Sequence, residues 1–133
     1  MKMDKVFICS PYRGNVEANL KVAREMGRLA AMCNMVPIIP HLVFPQFLKD
    51  DEPKERVLGI QLGCELLKDC DELWIVGNKI TDGMRYEIEA AKKLKKRICC
   101  FDVSGYRIPP DTLAIDDRSS PELVEILKDA KMD

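Results

Sequence analysis

The chain has 133 residues, and its 21 lysines and arginines are offset by 22 aspartates and glutamates to a formal charge of −1. Such a balance supplies no basic field for a nucleic-acid polymer or an anionic membrane surface, so the expected partner is a small molecule. The length suits a single domain over residues 1–133, large enough to hold a core without disulfide or metal support.

The six cysteines (Cys9, Cys33, Cys64, Cys70, Cys99, Cys100) form no CxxC pair, and several fall inside apolar runs. Free, largely buried thiols in a reducing cytoplasm are the expectation. With one histidine and no paired ligand spacing, neither a metal site nor a cofactor is expected. The opening MKMDKVFICS is too short and too polar for a secretion signal, and no apolar run approaches a membrane span, so a cytoplasmic location is expected.

In chain order, KVFIC (5–9) reads as a buried strand, followed by the loop SPYRG and a helix from about Asn15, a natural cap, to Asn34. MVPIIP (35–40) is a shorter strand whose prolines place it at a sheet edge, and HLVFPQFLKDDE then crosses the surface. Pro53 suits the first turn of a second helix running to Asp69, with Val57, Ile60, Cys64 and Leu67 at helical spacing. ELWIVG (72–77) is a third strand, a helix starts near Gly83, and RICCF (97–101) is a fourth strand. A short fifth strand is expected near Leu113–Ile115, and Ser120 caps a final helix, Pro121–Lys131.

Alternating strands and helices with near-continuous apolar strands predict an α/β, flavodoxin-like (Rossmann-like) three-layer sandwich around a four- or five-stranded, mainly parallel sheet of order 2-1-3-4-5. In such sheets ligands gather at the carboxyl ends of the strands, where the order reverses. That rule selects two loops. The first carries Ser10, Tyr12, Arg13, Gly14 and Asn15; the other carries Gly77, Asn78, Thr81, Asp82 and Gly83.

The helix after the second loop holds the most informative residue. Met84, Ile88, Ala91 and Leu94 recur at helical spacing, and Glu87 lies on the same inward stripe, whereas Glu89, Lys92, Lys93, Lys95 and Lys96 fall mostly outside it. A carboxylate on a core-facing stripe costs free energy unless it is hydrogen-bonded, charge-paired or used in chemistry. A place in about the first helical turn would let it stay ionised, either as a reactive group or merely as a complement to the helix start or to a nearby arginine. The SPYRGN loop, with a hydroxyl, a guanidinium and a glycine before a helix start, reads either as an anion cradle or as an ordinary strand-to-helix turn.

A carboxylate beside an anion site suits attack on an anomeric carbon, with the sugar trapped as an ester. Asp82, Tyr12 or a water would help the leaving base depart. His41 reads either as a base or proton contact in the cleft or as a structural residue. Phe44 and Phe47 suit a base-stacking wall, a subunit contact or simple packing. Trp74 reads as core and Asp71 as a turn or cap residue at the opposite end of the sheet.

The strings CSPYRGN (9–15), CDELWIVG (70–77), TDGMRYEIEAA (81–91) and KKRICCF (95–101) together resemble the nucleoside 2-deoxyribosyltransferase-like superfamily, particularly its small bacterial and phage-associated members, over residues 4–102. The resemblance, carried most strongly by Gly83, Met84 and Glu87, implies that Glu87 is the nucleophile that takes up the sugar. It also implies that Ser10, Arg13 and Gly14 hold a 5′-phosphate, that Thr81 contacts sugar or phosphate, and that the chain forms a homodimer or larger homo-oligomer. The expected function is an N-glycosidic-bond enzyme on nucleosides or nucleoside 5′-monophosphates, by deoxyribosyl transfer or hydrolysis. A non-catalytic nucleotide or nucleotide-sugar sensor, and a NAD glycohydrolase-like enzyme, are the alternatives.

Overall fold

The structure, a computed structural model, describes residues 2–133. Its elements run β1 (Lys5–Cys9), α1 (Val16–Met32), β2 (Val36–Ile38), α2 (Pro53–Lys68), β3 (Glu72–Val76), α3 (Asp82–Lys93), β4 (Arg97–Phe101), β5 (Arg107–Ile108), α4 (Pro121–Ile126) and β6 (Lys131–Met132). Short 3-10 turns occupy Pro40–Leu42, Phe44–Gln46 and Pro110–Ile115.

The layers follow from the two-residue alternation of strands. Val6 and Ile8 of β1, Trp74 and Val76 of β3, and Cys99 and Phe101 of β4 share one face of the sheet, where Met26 and Ala30 of α1 cover them. Phe7, Cys9, Leu73, Ile75, Ile98 and Cys100 share the other, under Leu67 of α2, Met84, Ile88 and Ala91 of α3, and Leu123 and Ile126 of α4. Each fully buried Leu, Ile or Phe in these layers contributes about 1.5–3 kcal/mol of hydrophobic free energy. Both faces of the central strands are thus apolar, as the unbroken runs in the sequence require.

The sheet order is β2-β1-β3-β4-β5, as expected, with β6 also on β4. β2, β1, β3 and β4 are mutually parallel, and β2 with its proline lies at the edge. The chain leaves β1 through α1 over one face and returns from β2 through α2 over the other. The carboxyl ends of β1 and β3 therefore border a crevice at the point of reversal.

Four expectations need correction. The fifth strand is Arg107–Ile108, antiparallel to β4, while Leu113–Ile115 belongs to a 3-10 turn that buries Leu113 and leaves Ile115 exposed. Pro109 and Pro110 favour the turn, because neither can donate to a ladder. The last helix stops at Ile126: Asp129 adopts a left-handed φ of 64°, after which Lys131–Met132 pair in parallel with Arg97–Ile98. Val57 is 52% exposed, so the inward stripe of α2 runs through Gly63 and Leu67 and not through Val57. Finally, α3 begins at Asp82, which puts Glu87 in the second turn instead of the first.

Candidate functional site

Thr81 sets the start of α3: its Oγ1 accepts a hydrogen bond from the Met84 amide at 3.2 Å. From that start, helical spacing carries Met84, Glu87, Ile88 and Ala91 inward, all four buried. Glu87 is only 4% exposed, and its Oε1 has no hydrogen-bond partner. Its Oε2 faces α2 at Gly63, where a Cβ would lie in ordinary contact with that oxygen, at 3.7 Å.

Burial pushes the Glu87 pKa up to about 8, with the nearby Cys9 thiol, which donates to the Met84 carbonyl oxygen at 3.9 Å, pulling the other way. A place in the first turn would have offered free amides and the positive helix end; in the second turn the local amides are engaged in the helix and little offsets the desolvation. Glu87 is therefore mostly protonated at neutral pH. Its charge pushes the fully buried Cys9 thiol well up in turn, after the larger effect of burial, so Cys9 stays a thiol.

The carboxyl lines a small cleft, open to solvent, between the loop after β1, the 3-10 turns that follow β2, α2 and the start of α3. Tyr12, His41, Phe44 and Ile60 supply apolar and aromatic walls, and Asp50, Glu55 and Arg56 supply the polar rim. His41 is fixed from β1: its Nε2 lies 2.7 Å from the Ser10 carbonyl oxygen, and its ring centroid 5.2 Å from that of Tyr12. Burial lowers the His41 pKa against the opposing pull of the Ser10 carbonyl and Asp50, which favours the neutral ring at pH 7. The tautomer that donates from Nε2 to Ser10 leaves Nδ1 as an acceptor.

Of the residues expected in the site, the cleft gathers Tyr12, His41, Gly83 and Glu87. Gly83 faces Ile60 of α2, whose Cδ1 a Cβ there would touch at 3.8 Å. Ser10 is wholly buried behind the wall with its Oγ unpartnered. The rest are elsewhere or otherwise engaged. Arg13 donates from Nε to Asp50 Oδ2 and from a terminal nitrogen to the Asp50 carbonyl, both at 2.7 Å. Gly14 takes a left-handed φ of 98° in the turn, and Asn15 caps α1 through Oδ1 to the Ala18 amide at 3.1 Å.

Gly77, with a φ of 84°, donates its amide to Phe101, and the Asn78 carbonyl accepts the Ser120 hydroxyl at 2.7 Å. Gly77 thus extends the pairing of β3 with β4, and Asn78 ties the exit of β3 to the start of α4. Met84 is core, and Asp82 is exposed on a separate groove between the outer faces of α2 and α3. Sequence reasoning missed Asp50, Glu55, Arg56 and Gly59. The available signal was the spacing Arg56, Gly59, Ile60, Gly63, which is one stripe of α2.

Among the described residues no cluster of three or more His, Cys, Asp or Glu side chains is arranged to hold a metal, and no helix is long and apolar enough to cross a membrane.

Two solved structures have a similar fold. A 2-deoxyribosyltransferase from Bacillus psychrosaccharolyticus aligns with a TM-score of 0.62 at 19% identity, over 86% of this chain and 82% of that one. A conserved protein from Enterococcus faecalis V583 aligns with a TM-score of 0.59 at 13% identity, over 98% of this chain and 90% of that one. The chain thus has the nucleoside 2-deoxyribosyltransferase-like fold. No curated protein matches it in sequence. Residues 4–101 match the model of the family described as Domain of unknown function (DUF7768), and the chain belongs to that family.

Proposed function

We propose that this protein breaks the N-glycosidic bond of a nucleoside or nucleoside 5′-monophosphate, with Glu87 as the nucleophile. The observation that carries the reading is a buried carboxyl with an unpartnered oxygen on the wall of a cleft at the sheet's reversal point. Buried polar atoms without partners are uncommon in folded proteins and concentrate where chemistry uses them. The fold shared with a 2-deoxyribosyltransferase supports the same reaction class.

In this reading a Glu87 oxygen bonds to the anomeric carbon as the bond from that carbon to the base nitrogen breaks, and the bond's electron pair leaves with the base. The Tyr12 hydroxyl or a water protonates the departing base; Tyr12 shares the cleft with Glu87, whereas Asp82 lies on the outer groove. A second base nitrogen or a water then attacks the same carbon and frees the carboxylate, giving transfer or hydrolysis. Tyr12, His41 and Phe44 form the surface on which a base would stack. The nucleophile must be ionised, so burial of Glu87 gives a more reactive carboxylate at the cost of a smaller ionised fraction at neutral pH.

A second reading has one observation in its favour. A carboxyl that is mostly protonated at pH 7 can donate a hydrogen bond to a sugar hydroxyl, as a non-catalytic nucleotide sensor would need. Incubation with a panel of nucleosides, 5′-monophosphates and NAD, followed by chromatography of released base, separates the two. The enzyme reading expects base release that Glu87→Gln abolishes and that Tyr12→Phe lowers more than Asp82→Asn does. Binding without release from any member of the panel would favour the sensor.

A further inference from the structure

Among the described residues, the rim of the cleft contains one guanidinium that forms no ion pair. Among the described residues Arg13, Arg85, Arg97 and Arg118 each form an ion pair, with Asp50, Glu122, Glu72 and Asp4, and Asp102 and Asp116 respectively. Arg24, Arg28 and Arg107 are exposed to water, where an unpaired guanidinium costs little. Arg56 is different: it is half-buried, stands where the cleft that holds Glu87 meets the outer groove between α2 and α3, and makes no ion pair among the described residues. Its acidic neighbours in the rim have other partners, since Asp50 accepts Arg13 and Glu55 accepts the Lys49 amide at 3.0 Å.

The stripe that carries Arg56 also gives the distance. Arg56, Gly59, Ile60 and Gly63 follow one face of α2, and Gly63 lies beneath the Glu87 carboxyl. Seven helical residues advance about 10 Å. That gap is one a pentose 5′-phosphate would span from its anomeric carbon to its phosphate with one contact at each end. Gly59 and Gly63 keep the intervening floor low: a Cβ at Gly59 would meet Leu48 Cδ1 at 3.7 Å, on the cleft wall.

We infer that Arg56 on α2, rather than Arg13 in the first loop, binds the phosphate of a substrate whose sugar sits at Glu87, which makes the substrate a nucleoside 5′-monophosphate rather than a nucleoside. The inference rests on the proposed function and narrows its substrate class. A half-buried guanidinium with no carboxylate of its own suits a phosphate, which can take it in two parallel hydrogen bonds. Arg13 already spends its Nε edge on Asp50, and of that pair only Asp50 lines the cleft.

Calorimetry with the four 2′-deoxynucleoside 5′-monophosphates and their four nucleosides tests this, on the wild type, Arg56→Gln, Arg56→Lys and Arg13→Gln, each first checked for a native melting transition. The expected result is that at least one monophosphate binds the wild type about tenfold or more tighter than its nucleoside. Arg56→Gln should equalise the two, Arg56→Lys should keep part of the difference, and Arg13→Gln should keep most of it. Nucleoside binding or turnover with no gain from the phosphate, or a gain that survives Arg56→Gln, would overturn the inference while leaving the glycosidic reading intact. No binding and no base release with any compound would overturn both.

Discussion

Two glutamates are buried among the described residues, at opposite ends of the sheet, and they are treated in opposite ways. Glu72, at the amino end of β3, is 7% exposed; its Oε1 accepts the Trp74 indole N–H at 2.6 Å and its Oε2 lies 3.3 Å from Arg97. Glu87, near the carboxyl ends of the strands, is 4% exposed with one oxygen unpartnered and no ion pair among the described residues. Burial is the same, so burial is not what marks function. What separates them is whether the desolvated oxygen is answered from within the protein.

Exchanging each glutamate for glutamine is the strongest way to break the comparison. Glu87→Gln should lower base release by about a thousandfold or more, the scale at which removal of a covalent nucleophile is felt. Glu72→Gln should leave release within about twofold yet cost about 1–3 kcal/mol in urea denaturation, because the Trp74 N–H and Arg97 lose their anionic acceptor. If both variants lost activity in proportion to stability, the distinction would collapse.

The pH dependence sharpens it. The folded pKa of Glu87, raised to about 8, lies above its value in the unfolded chain, so the folded state binds the extra proton between those two values. Stability from this group is fully present below about pH 4.5 and is lost as pH rises through about 8, by an amount on the order of 5 kcal/mol. Glu87→Gln should flatten that fall in urea titrations and be more stable than the wild type at pH 8, as expected where an active site is held at the expense of stability. Over the same interval kcat/KM should rise with pH toward a limb near 8, because the ionised form attacks. A stability profile in which the two proteins run parallel would contradict the shift.

A smaller effect concerns the helix that aims Glu87. Thr81→Ala removes the acceptor for the Met84 amide and should cost about 1 kcal/mol, read as a lower melting temperature with little change in ligand affinity. A large loss of affinity at unchanged stability would instead point to direct contact between Thr81 and the ligand.

Much of this was legible from residue order because local rules govern it. The three central strands β1, β3 and β4 are apolar runs buried on both faces, α1 has Asn15 as its cap, and the inward place of Glu87 follows from its spacing with Met84 and Ala91. The missed parts depend on contacts between distant segments. Arg13 meets Asp50 across 37 positions, and that pair redirects a guanidinium that by loop chemistry alone suits an anion. Arg56 looks like any exposed charge until the Pro40–Leu42 and Phe44–Gln46 turns fold the intervening chain over the end of β1 and make α2 a wall of the cleft.

Glu72 escaped notice for a similar reason, since only the packing of Trp74 and Arg97 across the sheet shows that the first residue of β3 is enclosed. At the C-terminus, β5 and β6 are two residues each, too short to carry an alternation signal, and exist because β4 offers them an unpaired edge.

The most direct test is to quench a reaction of the protein with a nucleoside or monophosphate that it cleaves, digest it, and weigh the peptides. A covalent sugar ester on the peptide bearing Glu87, absent from Glu87→Gln, is the predicted result. Base release proceeding at full rate with the sugar attached at another residue, or undiminished in Glu87→Gln, would contradict it.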